Sequence, residues 1–235
     1  MDKEINFFEK YTHSFDLKVP DIERKYYHTY RVMNYAEDIA KSLDLEINEI
    51  TRAKVCALFH DLGRFPQFTE YKTYIDNISF DHGDKSEEIL KENNYNDEIV
   101  LKAVKYHNKL LVPKFDDLTN MHCNIVRDAD KLDIMDMQIN ELDRYDYKFT
   151  EEILNCFKNH TLVDNSFANN IFINLLRMIA FIFDINYKRT IEIIVEKDII
   201  KRKLDLLRMN TYNKEVDIIE KEIKEYIKER FDVIC

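Results

Sequence analysis

Four histidines and two aspartates supply the atom types that bind metal ions: His28, the adjacent pair His60-Asp61, His82, His107 and Asp130. Neutral imidazole nitrogens and carboxylate oxygens converging on one point make a site for a divalent cation. Hydrolytic chemistry uses such a cation to ionise water and to polarise the group under attack. The pair sits in Ala57-Leu58-Phe59-His60-Asp61-Leu62-Gly63-Arg64-Phe65, and the last aspartate in Arg127-Asp128-Ala129-Asp130-Lys131-Leu132-Asp133. Asp61 and Asp130 lie in apolar surroundings, where a carboxylate needs a metal or an arginine to compensate it. Both of the chain's two glycines, Gly63 and Gly83, stand within three residues of a candidate ligand. Glycine at such places lets backbone turn sharply or approach closely. His13, His122 and His160 fall outside the pattern and read as surface or core residues.

These residues need helices to position them. Apolar residues recur at helical spacing from Asp21 to Leu43, with His28 one turn before Val32. A second helix is expected over Ile50 to His60, ended by Gly63. Phe65 to Phe80 holds Pro66 and aromatics without a period, and reads as an irregular loop covering the site; its rings suit a packed lid or a surface for stacking a base. Further helices are expected from Asp84 or Ser86 to about Asn93, from Asp97 to His107, and from Asn120 to about Leu142. After Thr150 come an apolar core helix over Phe167 to Phe183 and amphipathic helices over Asn186 to Met209 and Lys214 to Phe231. Lys105, Lys109 and Lys114 read as a solvated face that could also draw an anion toward His107.

The chain has 235 residues, 45% hydrophobic and 34% charged, which suits a globular protein with an ample core. Two glycines and three prolines are too few for a turn-rich β fold, so the class is all-α. A net charge of −10 argues against extended nucleic acid as a partner, but leaves room for a small phosphorylated substrate held by bound cations. The four cysteines form no CxxC pair and read as reduced thiols, which places the protein in the cytoplasm. No signal peptide is visible, and no uncharged apolar stretch reaches the roughly 18 residues of a membrane span. One domain is expected over 1–235, with a motif-bearing core at about 20–142 and helices at about 150–235 packed on it. Those C-terminal helices could support a homo-oligomer or complete the core.

The order His28, His60-Asp61, His82, His107, Asp130 resembles the HD superfamily of metal-dependent phosphohydrolases, in its binuclear H…HD…H…H…D branch. The resemblance covers about residues 25 to 140 and implies an HD-type helical bundle. It implies that His28, His60, Asp61 and Asp130 hold one divalent ion, and that Asp61 bridges to a second completed by His82 and His107. The ions would be one or two of Fe, Mn, Co, Ni, Zn or Mg. It implies hydrolysis of a phosphomonoester or phosphodiester, a nucleotide among the candidates, by a metal-activated water at Asp61. Arg64, where many relatives carry Lys or Arg, and Lys131 are then the expected catalytic and substrate-binding contacts to phosphate, the first as a bidentate fork. Asp128 and Asp133 are candidates for orienting imidazoles.

The cyclic-dinucleotide subgroup carries Gly-Tyr-Pro after its HD pair; here the chain reads Arg64-Phe65-Pro66-Gln67-Phe68, so that activity is not implied. Two alternatives stay open: a non-catalytic nucleotide- or metal-binding sensor, and a di-iron oxygenase on the same type of fold.

Overall fold

The computed structural model describes residues 1–139, 142, 148–164, 167, 170–210 and 213–234. Every regular element among them is helical: α1 (Asp2–Thr12), α2 (Pro20–Ser42), α3 (Ile47–Phe59), α4 (Arg64–Tyr71), α5 (His82–Glu92), α6 (Glu98–Tyr106), α7 (Asp117–Asp136), α8 (Glu151–Lys158), α9 (Ile171–Ala180), α10 (Lys188–Glu196), α11 (Ile199–Asn210) and α12 (Asn213–Phe231). Short 3₁₀ turns follow at Asp76–Ile78 and Phe181–Asp184. Two compact units result, Met1–Asp133 and Ile134–Cys235. No described helix is long and apolar enough to cross a membrane.

The first unit is organised around α2 and α3, which pack together most extensively. Each buries small side chains completely, Ala36 and Ala40 on one and Ala53 and Ala57 on the other. Side chains of that size let two helix backbones approach. Helix α6 packs on α3 and α5 packs on α6, so the starts and ends of these helices gather at one place. In the second unit α12 packs against α8, α10 and α11 over buried Phe157, Ile191, Val216 and Ile219, and Tyr226 donates to the Phe183 carbonyl at 3.1 Å.

Several expectations need correction. The stretch Phe65–Phe80 is not an irregular loop, because α4 occupies most of its first half and a 3₁₀ turn follows. Helices α1 and α8 were not foreseen; α8 is capped by Thr150, whose hydroxyl accepts from Ile153 N. Helix α5 begins earlier than expected, since Asp81 caps it by accepting from Gly83 N at 2.9 Å and Asp84 N at 3.0 Å. Ser86 instead ties elements together: its hydroxyl lies 2.8 Å from the His60 and His82 carbonyls and accepts from Gly63 N. Helix α7 stops at Asp136, short of Leu142. The single helix expected over Asn186 to Met209 is broken after Glu196, where Asp198 takes φ 53°. The expected apolar helix over Phe167 to Phe183 is regular from Ile171 on; residues 168 and 169 lie outside the described residues.

Gly63 does not end α3 with a positive φ; it precedes α4 at φ −65°. Its use is close approach. A Cβ there would drive into the His82 carbonyl oxygen and sit 3.0 Å from Lys85 Cβ. At Gly83 a Cβ would come within 2.6 Å of the Lys105 carbonyl. The two glycines therefore seat the start of α5 between the HD segment and the end of α6. Gly63→Ala is expected to cost about 1–3 kcal/mol in thermal or denaturant unfolding, since backbone atoms rather than a flexible tip must yield. Unchanged stability would contradict this packing.

Candidate metal centre

The helix ends aim the candidate ligands. His60 and His107 directly follow α3 and α6. Each Nδ1 lies 2.6 Å from a last-turn carbonyl of its own helix, Ala57 O and Val104 O. Those carbonyls are acceptors that a helix leaves without an internal partner. Donation from Nδ1 fixes each ring and leaves the Nε2 lone pair facing inward. His28, on α2, places Nδ1 2.6 Å from Asp133 Oδ2; His82, opening α5, places Nδ1 2.7 Å from Asp76 Oδ2. All four Nε2 atoms are thus turned the same way by partners on their far side, the arrangement that prepares imidazole for a metal.

Asp61 lies where they meet, 2% exposed. Its Oδ2 is 3.4 Å from both His28 Nε2 and His60 Nε2, and Asp130 Oδ1 is 3.1 and 3.6 Å from the same two atoms. Its Oδ1 faces the other pair, 3.5 Å from His82 Nε2 and 3.7 Å from His107 Nε2. The two pairs close on themselves at 3.3 Å (His28 to His60) and 3.0 Å (His82 to His107). Two ligand atoms each about 2.1 Å from a shared ion are separated by about 3.0–3.4 Å in tetrahedral or octahedral geometry. Most of these separations match that spacing, so the donor set fits divalent cations in chemistry and in size. His28, His60 and Asp130, and likewise His60, Asp61 and His107, form groups able to hold a metal. A third such group, Asp76, Asp81 and His82, reuses His82 through residues already tied to Arg64, Gln67 and Asn108. We read it as the orienting shell of His82. All of the six except Asp130 are buried; the Asp130 side chain is 18% exposed and marks the open side.

Electrostatics follow from this crowding. Burial opposes the charged form of every group. The carboxylates Asp130, Asp133 and Asp61 nevertheless hold His28 above the usual range, against Lys25, and Asp61 and Asp130 raise His60. Asp61 is held well below the carboxylate range by Lys25 and His60, and Asp130 by His28 and His60. Burial, reinforced by Arg64, pushes His82 down to about 4, and burial lowers His107. The lowered carboxylates stabilise the fold above their ordinary range, and that contribution is lost as pH falls through it. The raised histidines stabilise it below the ordinary imidazole range, and that contribution is lost as pH rises. Protons on His28 and His60 compete with a cation for the same lone pairs. Metal affinity of the metal-free protein is therefore expected to climb from the ordinary imidazole range up to about pH 10, where His60 is raised, by up to tenfold per unit for each proton released. Chelator competition across that range checks it, and a flat profile would contradict it.

Sequence reading did not single out Lys25 or Asp76. Lys25 Nζ is 2.7 Å from Asp61 Oδ2. It lies one turn before His28 on α2, so helical spacing could have found it. Asp76 lies in a 3₁₀ turn that only tertiary structure brings to His82. Of the two candidate orienting residues near Asp130, Asp133 is seen against His28, gripped also by Arg31 at 2.7 Å; Asp128 is buried. Asp133→Asn is expected to weaken metal binding about 10- to 100-fold without unfolding the protein. Chelator competition beside a circular dichroism spectrum measures this.

Arg64 is a pinned fork. Its Nη1 meets Gln67 Oε1, the Tyr74 carbonyl and Asp76 Oδ1 at 2.6, 2.6 and 3.0 Å, and its Nε is 3.6 Å from Asp61 Oδ1. Its Nη2 makes no hydrogen bond to a described residue. Arg24, Lys25 and Arg64 all stand over the Tyr74 ring, at 5.5, 5.7 and 5.6 Å. Lys131 follows Asp130 on α7 and is buried. Lys105 and Lys109 are paired with Glu87 and Asp81.

Six His and Asp side chains on five helices and their ends converge in this helical unit, a donor set able to hold divalent metal. Residues 26–135 match the family model of the HD domain. HD domains bind divalent metals. Neither the curated proteins nor the solved structures contain a significant match to the chain.

Proposed function

We propose that the protein is a metal-dependent hydrolase of a small phosphomonoester or phosphodiester, with a nucleotide among its candidate substrates. One observation carries the reading: the two oxygens of Asp61 each face a separate pair of Nε2 atoms. His28, His60, Asp130 and Asp61 Oδ2 would hold one ion, and His82, His107 and Asp61 Oδ1 a second. Bound there, divalent cations supply a Lewis-acidic centre that ionises water at neutral pH. The side chains do the rest. Asp76 and Asp133 fix the rings. Arg64, held through Nη1, offers Nη2 to a phosphoryl oxygen. Lys25 adds positive charge beside Asp61, and Lys131, next to Asp130 on α7, is assigned a second contact to phosphate. The test is a panel of phosphomonoesters and phosphodiesters with Mn²⁺, Fe²⁺, Co²⁺, Ni²⁺, Zn²⁺ and Mg²⁺. Turnover with at least one metal is expected; full occupancy without turnover of any substrate would overturn the hydrolase reading.

A second reading, a metal- or nucleotide-binding sensor without catalysis, draws on the Lys25 to Asp61 ion pair, which balances Asp61 by protein charge alone. Tight nucleotide binding with no product would favour it. We place the protein in the cytoplasm, with no membrane or extended nucleic acid as partner.

A further inference from the structure

Lys203, on α11 in the second unit, is 5% exposed. A buried ammonium normally has a carboxylate opposite it. Among the described residues Lys203 pairs with no carboxylate, and its one hydrogen bond there is to the Met137 carbonyl, at 3.0 Å. Two of its three N–H groups meet no described acceptor. The neighbouring acid, Asp136, is engaged by Arg202 at 2.6 Å and by Lys197 at 3.0 Å. Lys203 and Arg202 both line a cavity of about 240 Å³, open to solvent on one side, with Gln138 and the apolar Met137, Ile139 and Leu206. A buried cation that no described carboxylate pairs with directly, beside a second cation, an amide and an apolar wall, describes a receptor for an anion with a short hydrocarbon tail.

We propose that this cavity binds a small organic anion, its anionic head on Lys203 and Arg202 and its apolar part against Met137, Ile139 and Leu206. Burial, with Arg202 adding to it, lowers the Lys203 ammonium to about 8, as expected of a cation awaiting a partner. The site uses no residue of the metal centre, and the inference does not depend on the hydrolase reading. If Lys203 served only to cap the end of α7 through the Met137 carbonyl, its removal would cost stability and leave anion binding unchanged.

Calorimetric titration of the purified protein with butyrate, acetate and inorganic phosphate, at constant ionic strength in chloride, tests the assignment. Saturable binding of butyrate is expected, about tenfold tighter than acetate because two more methylenes are buried. Lys203→Met keeps the length of the stem and is expected to weaken binding at least tenfold at unchanged metal content. Phosphate binding more tightly than butyrate, and lost in Lys203→Met, would also support the site and assign it a phosphorylated ligand. No saturable binding of any of the three, or binding undiminished in Lys203→Met, would overturn the proposal. Should Lys203→Met fail to fold, Arg202→Gln on the exposed rim decides: a fall of about fivefold or more supports the site, and no change overturns it.

Discussion

Asp61→Ala is expected to strip both ions from the protein and to abolish turnover. Among the described residues only Asp61 offers an oxygen to each half of the centre, so its loss removes one ligand from both. It also leaves Lys25 beside a buried space without the carboxylate it pairs with, whereas Arg64 keeps Asp76. The fold is therefore checked alongside, and Asp61→Asn serves as the gentler change: it keeps the shape but replaces a two-oxygen bridge with a single neutral oxygen. Elemental analysis should find less than a tenth of an equivalent of metal in the alanine variant, an order-of-magnitude threshold for loss of a bridging ligand. Wild-type metal content or turnover in either folded variant would defeat the bridging assignment.

His107→Ala should divide the centre. His107 reaches Asp61 Oδ1 and His82, whereas His28 and Asp130 cluster about Oδ2. The variant is expected to keep one ion of two and to lose about 10²- to 10³-fold in kcat, the scale seen when one electrostatic contributor is removed. His82→Ala should behave alike. Loss of both ions together from a folded His107→Ala protein would mean that the two halves are not separable, and the pairing of ligands would need revision.

The metal-binding pattern was legible because it is local. His60-Asp61 is one dipeptide, and His28, His107 and Asp130 sit beside apolar helical stripes whose period shows in the sequence. What orients them was less visible. Asp133 is one turn after Asp130 and was a natural candidate, but Asp76 becomes a neighbour of His82 only through the 3₁₀ turn after α4. Helix boundaries failed for a common reason. With so little glycine, the chain enters left-handed backbone at Asp44, Lys72, Asn94, His160, Asp198 and Asp232 instead. These residues stand at or just after the ends of α2, α4, α5, α8, α10 and α12, in that order, so no glycine marks where those helices stop. Asp198 shows the consequence, splitting α10 from α11 in a stretch whose hydrophobic pattern runs on unbroken. The glycines do the opposite of what their type suggests. They mark contacts between elements, and those contacts bring His82 toward Asp61 and His107.

The most direct measurement is anomalous X-ray scattering from crystals of protein purified without chelators, with data collected on both sides of each candidate metal's absorption edge. Two peaks about 3.5–4 Å apart are expected, one among His28, His60 and Asp130, the other between His82 and His107, with Asp61 between them. Metal-loaded protein whose peaks lie elsewhere, or a cluster that stays without a peak when divalent ions are supplied in excess, would contradict the account.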